Sequence, residues 1–183
     1  NFGNSLICGR IAEAHGSFSF HVTGEAEIVN SDSISGTASP IYGYFSLLTE
    51  AGESIREFRK NLLPRLNGME DTLKKAAVIL GAVHARMKYA KGVTDVCTTA
   101  EAALKKGEGV CQDYTHIFLS LCRSFGIRCR YVSGLAYENG ETHAWAEVSD
   151  GEKRYGIDTA NNRRINENYI KICHGRDDAD CPI

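Results

Sequence analysis

Three side chains in this sequence, Cys111, His143 and Asp158, have the types and surroundings that nucleophilic catalysis needs. A thiol can attack a carbonyl, an imidazole can move the proton, and a carboxylate can hold the ring in one orientation. The stretch Gly107-Glu108-Gly109-Val110-Cys111 leads into Gln112 to Phe125, where Tyr114, Phe118, Leu121, Cys122 and Phe125 form one apolar stripe ending at Gly126. That pattern predicts a helix with Cys111 at its N-terminus, where the dipole and unpaired N–H groups favour a thiolate. Glycines 107 and 109 thin the backbone beside the sulfur. The Cys111 N–H is the expected oxyanion donor, with Gln112 as a possible second. Asp113 reads as a first-turn cap and His116 as a structural histidine.

The other two members come from a region of period-2 alternation: Ile127 to Ser133, Thr142 to Val148 and Lys153 to Thr159, with turns at Asn139-Gly140 and Asp150-Gly151. If Asp150-Gly151 is a two-residue loop flanked by Ser149 and Glu152, Glu147 faces Arg154, Trp145 faces Gly156, and His143 faces Asp158. All six share one side of the sheet. The opposite side carries Ala144, Ala146, Val148 and Ile157 and is suited to burial. An Asp158 carboxylate then reaches a ring nitrogen of His143, and the site is complete if the polar side lies against the helix end. Trp145 is expected as a wall or packing residue, and Glu147 with Arg154 as an ion pair of small worth.

The rest of the chain must position these groups. Leu73, Ala77, Leu80, Val83 and Met87 recur at helical spacing between Met69 and Tyr89. A capping box at Thr98-x-x-Glu101 starts a shorter helix that stops at Gly107. Residues 1–50 hold one basic residue and many Ser and Gly, and Phe18, Phe20 and Val22 alternate with polar residues. The expectation is a β-rich N-terminal region over 1–50, ahead of a catalytic core over 51–183.

Composition narrows the function classes. Of the 183 residues, 43% are hydrophobic, enough to bury a core, and the formal net charge of −2 supplies no basic field for nucleic acid or anionic lipid. Arg123, Arg128 and Arg130 read as a solvated surface. No stretch approaches the roughly 18 to 20 apolar residues that cross a bilayer, so no membrane partner is expected. The seven cysteines are an odd number and include no C-x-x-C pair, which favours a reducing, cytoplasmic location over a disulfide framework. A zinc site at Cys173, His174 and Cys181 is set aside, no calcium loop is present, and no metal or cofactor is expected. The oligomeric state stays open.

Gly109-Val110-Cys111-Gln112-Asp113, His143-Ala144-Trp145-Ala146-Glu147-Val148 and Asp158-Thr159-Ala160-Asn161 together resemble the G-x-C-x-D, H-A-W-x-E-V and D-P-T-N blocks of the bacterial transglutaminase-like superfamily, of the cysteine-protease type. Tyr131-Val132-Ser133-Gly134, Gly175-Arg176-Asp177-Asp178-Ala179-Asp180 and Phe2-Gly3-Asn4 are similar to further family blocks. The core resemblance runs from about residue 69 to 183. Thr159 stands where the family usually has Pro, and Tyr155 near a position often held by Trp.

The resemblance implies an α+β fold, a papain-like cysteine-hydrolase core of helices on an antiparallel sheet. It implies Cys111 as nucleophile, His143 as base and acid, and Asp158 as orienter, acting on a peptide or protein amide through a thioester. Water as acceptor makes a peptidase or amidase, and an amine makes a transamidase. Hydrolysis is favoured because it needs only water. Two other readings stay open: a catalytically silent module that binds peptides or a partner, and a redox sensor pairing Cys111 with a thiol such as Cys122 or Cys173.

Overall fold

The computed structural model describes residues 2–6, 8–19, 21–28, 33–36, 38–137 and 141–181. Four α-helices, α1 (Glu53–Leu66), α2 (Thr72–Arg86), α3 (Ala100–Lys106) and α4 (Cys111–Ser124), lie ahead of most strands of the main sheet. Every residue of α4 from Asp113 to Arg123 is buried. It is the central helix, touching α1, α2 and α3 on one side and the sheet on the other. A helix apolar on one stripe could not sit there. α4 can because Asp113, Thr115, His116 and Arg123 each find hydrogen-bond partners inside.

Helix starts follow local chemistry with one exchange of partners. Asp71 caps α2, its carboxylate accepting from Leu73 N and Lys74 N at 2.9 and 3.0 Å. α2 stops at Arg86, short of the expected Tyr89, because Met87 turns extended and Lys88–Tyr89 become β2, paired in parallel with β3 (Glu108–Gly109). The cap of α3 is Thr99, not Thr98, whose hydroxyl is engaged with Asp95. Glu101 reaches away to the start of α1, accepting from Ser54 N and Ile55 N at 3.0 and 3.1 Å. Burial pushes its carboxyl up, but those two bonds outweigh burial and hold it at about 2. The capping residue of one helix therefore caps its neighbour, which a local motif cannot reveal.

The main sheet is antiparallel, built from β4 (Cys129–Ala136), β5 (Glu141–Ser149), β6 (Lys153–Asp158) and β8 (Tyr169–Gly175), with β1 (Ile34–Ser35) and β7 (Arg163–Arg164) both on β6. Along its main path the order is β1-β6-β5-β4-β8. Ala144, Ala146, Val148, Ile157, Cys129 and Tyr131 join the α4 residues Tyr114, Ile117, Phe118, Leu121 and Cys122 in one core. Val132, Ala136, Trp145 and Tyr169 form a second, smaller one. The fold is α+β. Among the described residues no helix is long and apolar enough to cross a membrane.

Three expectations change here. The described part of residues 17–28 holds no strand, and Phe18 and Val22 lie exposed; Phe20 lies outside the described residues, as does the Asn139-Gly140 turn. Arg123 and Arg130 are buried, not solvated. Arg123 donates to the Cys129 and Arg176 carbonyls and to Thr49 Oγ1, and Arg130 pairs with Glu147. The β5–β6 register also differs by two. Ser149 pairs with Arg154 and Ala146 with Ile157, since Asp150 folds a four-residue loop by accepting from Glu152 N and Lys153 N. A two-residue slip preserves parity, so every side chain keeps its face.

Gly134, in β4 opposite His143, lets β8 and Trp145 approach. A Cβ there would strike the Ile170 carbonyl oxygen and lie 2.6 Å from the Trp145 ring. Gly134→Ala is expected to cost about 2 to 3 kcal/mol. A urea midpoint unchanged from the wild type would contradict this.

Candidate active site

Cys111 is the first residue of α4 and is partly exposed. The turn that carries it is held by Asp113, whose Oδ2 accepts from Val110 N at 2.7 Å and from the Thr94 hydroxyl at 2.6 Å. Both glycines before the cysteine have tasks in this turn. Gly107 caps α3 with φ of 73°, and a Cβ on Gly109 would collide with the Asp113 carboxylate. The two glycines thus shape the turn itself, in addition to the role beside the sulfur that the sequence suggested. As a first-turn donor, the Cys111 N–H has no acceptor within the helix. Gln112, the other oxyanion candidate, is turned aside, donating from Nε2 to the Val96 carbonyl at 3.2 Å.

His143 lies near the start of β5 and Asp158 at the end of β6. With the shifted register they are diagonal neighbours rather than directly opposed. His143 Nε2–H nonetheless donates to Asp158 Oδ2 at 2.9 Å. That leaves Nδ1 for the groove, where the Cys111 thiol lies close enough to influence the ring. The polar side of the sheet does not lie flat on α4, which takes the apolar side. Cysteine and imidazole meet at the rim, in a groove lined by both residues together with Tyr89, Tyr131, Thr142 and Asp178.

Electrostatics fix the charge states. Burial alone would lower the His143 pKa, but the hydrogen bond to Asp158, with the neighbouring Cys111 and the charge of the carboxylate, raises it to about 9. Asp158 is fully buried; burial raises its pKa, yet bonds from His143, Asn161 and Tyr169 hold it at about 2. The ring is thus an imidazolium at neutral pH, between a carboxylate and the sulfur.

Two partners of Asp158 escaped the sequence reading of residue roles. Asn161 gives its backbone N–H to Oδ1 at 3.0 Å and its side-chain amide to Oδ2 at 2.8 Å. Tyr169, on β8, donates to Oδ2 at 2.6 Å, accepts from Arg163 Nε at 3.0 Å and packs edge-on against Trp145. Asn161 was legible in the D-x-x-N spacing. Tyr169 was not, because only the β4–β8 pairing brings it near. Thr159, in the place of the family's proline, bonds through its hydroxyl to Thr115 at 2.8 Å, and Thr115 donates to the Cys111 carbonyl at 2.8 Å. That departure thus ties the turn after Asp158 to the first turn of α4.

Tyr169→Phe removes one donor from a buried carboxylate and is expected to cost about 1.5 to 3 kcal/mol at neutral pH. An Asp whose pKa is depressed contributes stability that is present above its unfolded value of about 3.9 and is lost as pH falls through 2. The two proteins should therefore converge in stability toward pH 2. A deficit of the same size at pH 2.5 and pH 7 would show that the ring packing, not the hydroxyl, was lost.

Other residues that the sequence singled out have definite surroundings. His116 is structural: fully buried, it accepts at Nε2 from Asp178 N at 3.2 Å, and burial holds it down at about 4. Glu147 is no small surface pair but a buried hub, bonded to Arg130 at 2.5 and 2.8 Å and to Lys171 at 3.0 Å, with Arg154 at 3.7 Å. The thiols of Cys122 and Cys173 face Cys129 and Cys181. All seven cysteines are free, and among the described residues no cluster of three or more His, Cys, Asp or Glu could hold a metal ion.

Comparison with known proteins places the chain in a family. Under the description "Transglutaminase-like superfamily", a family model matches residues 60–157, taking in Cys111 and His143 and ending one residue before Asp158. An uncharacterized protein of Mycobacterium leprae is 36% identical over 118 residues, 58% of this chain and 42% of the relative. One from Mycobacterium tuberculosis is 28% identical over 150 residues, 73% of this chain and 46% of the relative. The chain thus spans less than half the length of these curated relatives. A solved structure described as "a Putative Cysteine Protease from Cytophaga hutchinsonii" superposes with a TM-score of 0.65 at 26% identity, over 76% of this chain and 47% of that one. LapG of Legionella pneumophila shares the fold at a TM-score of 0.55 and 11% identity, over 68% of this chain and 77% of its own. With the family model matching more than half of its residues, the chain belongs to the transglutaminase-like superfamily.

Proposed function

We propose that the protein is a cysteine-dependent acyl-transfer enzyme acting on an amide of a peptide or protein, with Cys111, His143 and Asp158 in the roles of nucleophile, acid–base and orienter. The observation that carries this reading is the His143 imidazole, bound to a buried carboxylate and sharing one groove with the thiol at the start of α4. The Cys111 sulfur attacks the amide carbon, and the oxyanion collects at the Cys111 N–H. His143 Nδ1 gives its proton to the leaving nitrogen as the C–N bond breaks. In the second step His143 takes a proton from water, whose oxygen attacks the thioester and releases the sulfur. An amine in place of that water gives transamidation. Hydrolysis is preferred because water needs no binding site of its own.

The test is intact-mass detection of an acyl-enzyme. Incubation with glutamine- and asparagine-containing peptides, with and without a primary amine, should give a mass increase on the wild type that is absent in Cys111→Ala. Products analysed in parallel separate the free acid from the amine adduct. A chain that binds such peptides yet never acquires mass is a binding module, and the enzyme reading falls.

A further inference from the structure

Beside Cys111 the groove continues past Val96, Cys97, Gln112 and Thr142 to Asp178 and Ala179 in the turn after β8. Asp178 is the one charged side chain lining this arm among the described residues. Its place is fixed twice over. The backbone N–H donates to the buried His116, and Oδ1 accepts from the hydroxyl of buried Tyr131 at 2.9 Å. Oδ2 makes no hydrogen bond among the described residues, and no cation pairs with the carboxylate. The neighbouring charges are spoken for: Asp180 is paired with Arg176 at 2.8 Å, Asp177 accepts from Leu48 N, and at the far end Lys91 is paired with Glu141 at 2.7 Å. The arm thus presents a held carboxylate, half-buried among largely apolar or uncharged walls, with no counterion among the described residues.

We infer that this arm selects an acyl donor carrying an alkylammonium group, of the lysine side-chain type, close to the carbonyl that Cys111 attacks. The methylenes lie along Val96 and Ala179, and the ammonium reaches Asp178 Oδ2. A partly desolvated carboxylate attracts a cation more strongly than a water-exposed one and repels an anion equally, so a single residue discriminates in both directions. Burial raises the Asp178 pKa, which is the condition in which an arriving cation gains most. The inference rests on Cys111 being the acyl carrier, but its test does not need turnover.

The experiment follows the rate at which Cys111 is modified by three small thiosulfonates bearing an ammonium, a methyl or a sulfonate group. Site-resolved peptide mass spectrometry keeps Cys111 apart from the exposed Cys8 and Cys97. The readout is the ratio of cation to anion rates, in which a general change of thiol reactivity cancels. Asp178→Asn, which keeps an acceptor for Tyr131, should lower that ratio roughly tenfold, the effect of one charge at short range in a partly screened site. In the wild type the ratio should shrink as salt rises from 0.02 to 1 M, an arm that requires no variant to fold. Paired acyl-donor peptides with Lys or norleucine beside the reactive amide should then differ in acylation rate in the wild type and not in Asp178→Asn. A ratio that neither salt nor the substitution changes overturns the inference while leaving the acyl-transfer reading intact. Charge selectivity at Cys111 without any acyl-enzyme would do the reverse. Amine acceptors accelerating deacylation, with donor charge irrelevant, would move the ammonium from donor to acceptor and overturn the assignment made here.

Discussion

In His143→Ala, acylation of Cys111 by an amide substrate is expected to slow on the order of 10⁴-fold, the scale seen when a positioned acid–base is removed from a nucleophile's partner set. The loss should depend on the leaving group. An amide nitrogen cannot depart as an anion and requires the His143 proton, whereas an aryl oxide departs without one. A p-nitrophenyl ester should therefore lose far less rate than an amide in the same variant. Equal losses for both would mean that the imidazole only shapes the site. Protonation can be followed separately by NMR of labelled histidine. His143 should titrate near 9 in the wild type, and its midpoint should fall toward 6.5 in Asp158→Asn, since the Asp158 bond is the foremost of the influences that raise it. The sign carries over to stability. A histidine whose pKa is raised on folding contributes stability fully present below pH 6.5 and lost as pH rises through 9. The wild type should thus weaken between pH 6.5 and 9, whereas His143→Ala should lack that slope.

Glu147→Gln is expected to destabilise the fold by about 3 to 5 kcal/mol, the usual cost of removing one member of a buried ionic set and leaving the others uncompensated. Glu147 is 2% exposed and stands among three cations, and Arg130 beside it is itself 7% exposed. Neither Arg130 nor Arg154 can lose its proton to escape the cost. Lys171 can turn outward, its side chain being 31% exposed, so Lys171→Met should cost under about 1 kcal/mol. Denaturant midpoints for the two variants, measured at equal pH and salt, test the difference. A loss for Glu147→Gln no larger than that for Lys171→Met would show the cluster to be solvated in solution. Because Glu147 shares its strand and face with His143, partial loosening should also appear as a downward shift in the His143 titration.

Much of the site could be read without coordinates because its members are placed by short-range rules. Cys111 begins a helix because an apolar stripe starts there and Asp113 returns its carboxylate to Val110 N, both within one turn of sequence. His143 and Asp158 share a face because side chains alternate along strands, and a two-residue error in register leaves that alternation untouched. The error itself came from Asp150, whose side chain builds a longer loop than the Asp-Gly pair suggested. Thr98 and Glu101 were misread for a similar reason: their spacing satisfies a capping box, but Asp95 and the start of α1 compete for the same groups.

By itself, then, the order of residues determined the helix that presents the thiol, the strands that present the imidazole and carboxylate, and the face on which the latter two meet. Each depends on contacts a few residues apart or on a period of two. Tertiary structure alone decided that Tyr169 and Arg163 complete the surroundings of Asp158, that Arg123 and Arg130 go inside, that Glu147 gathers three cations, and that Asp178 stands in the groove with no cation beside it among the described residues. Those outcomes depend on β8 pairing with β4 across more than thirty residues of chain, and on which polar groups remain to be satisfied once that pairing has removed them from water.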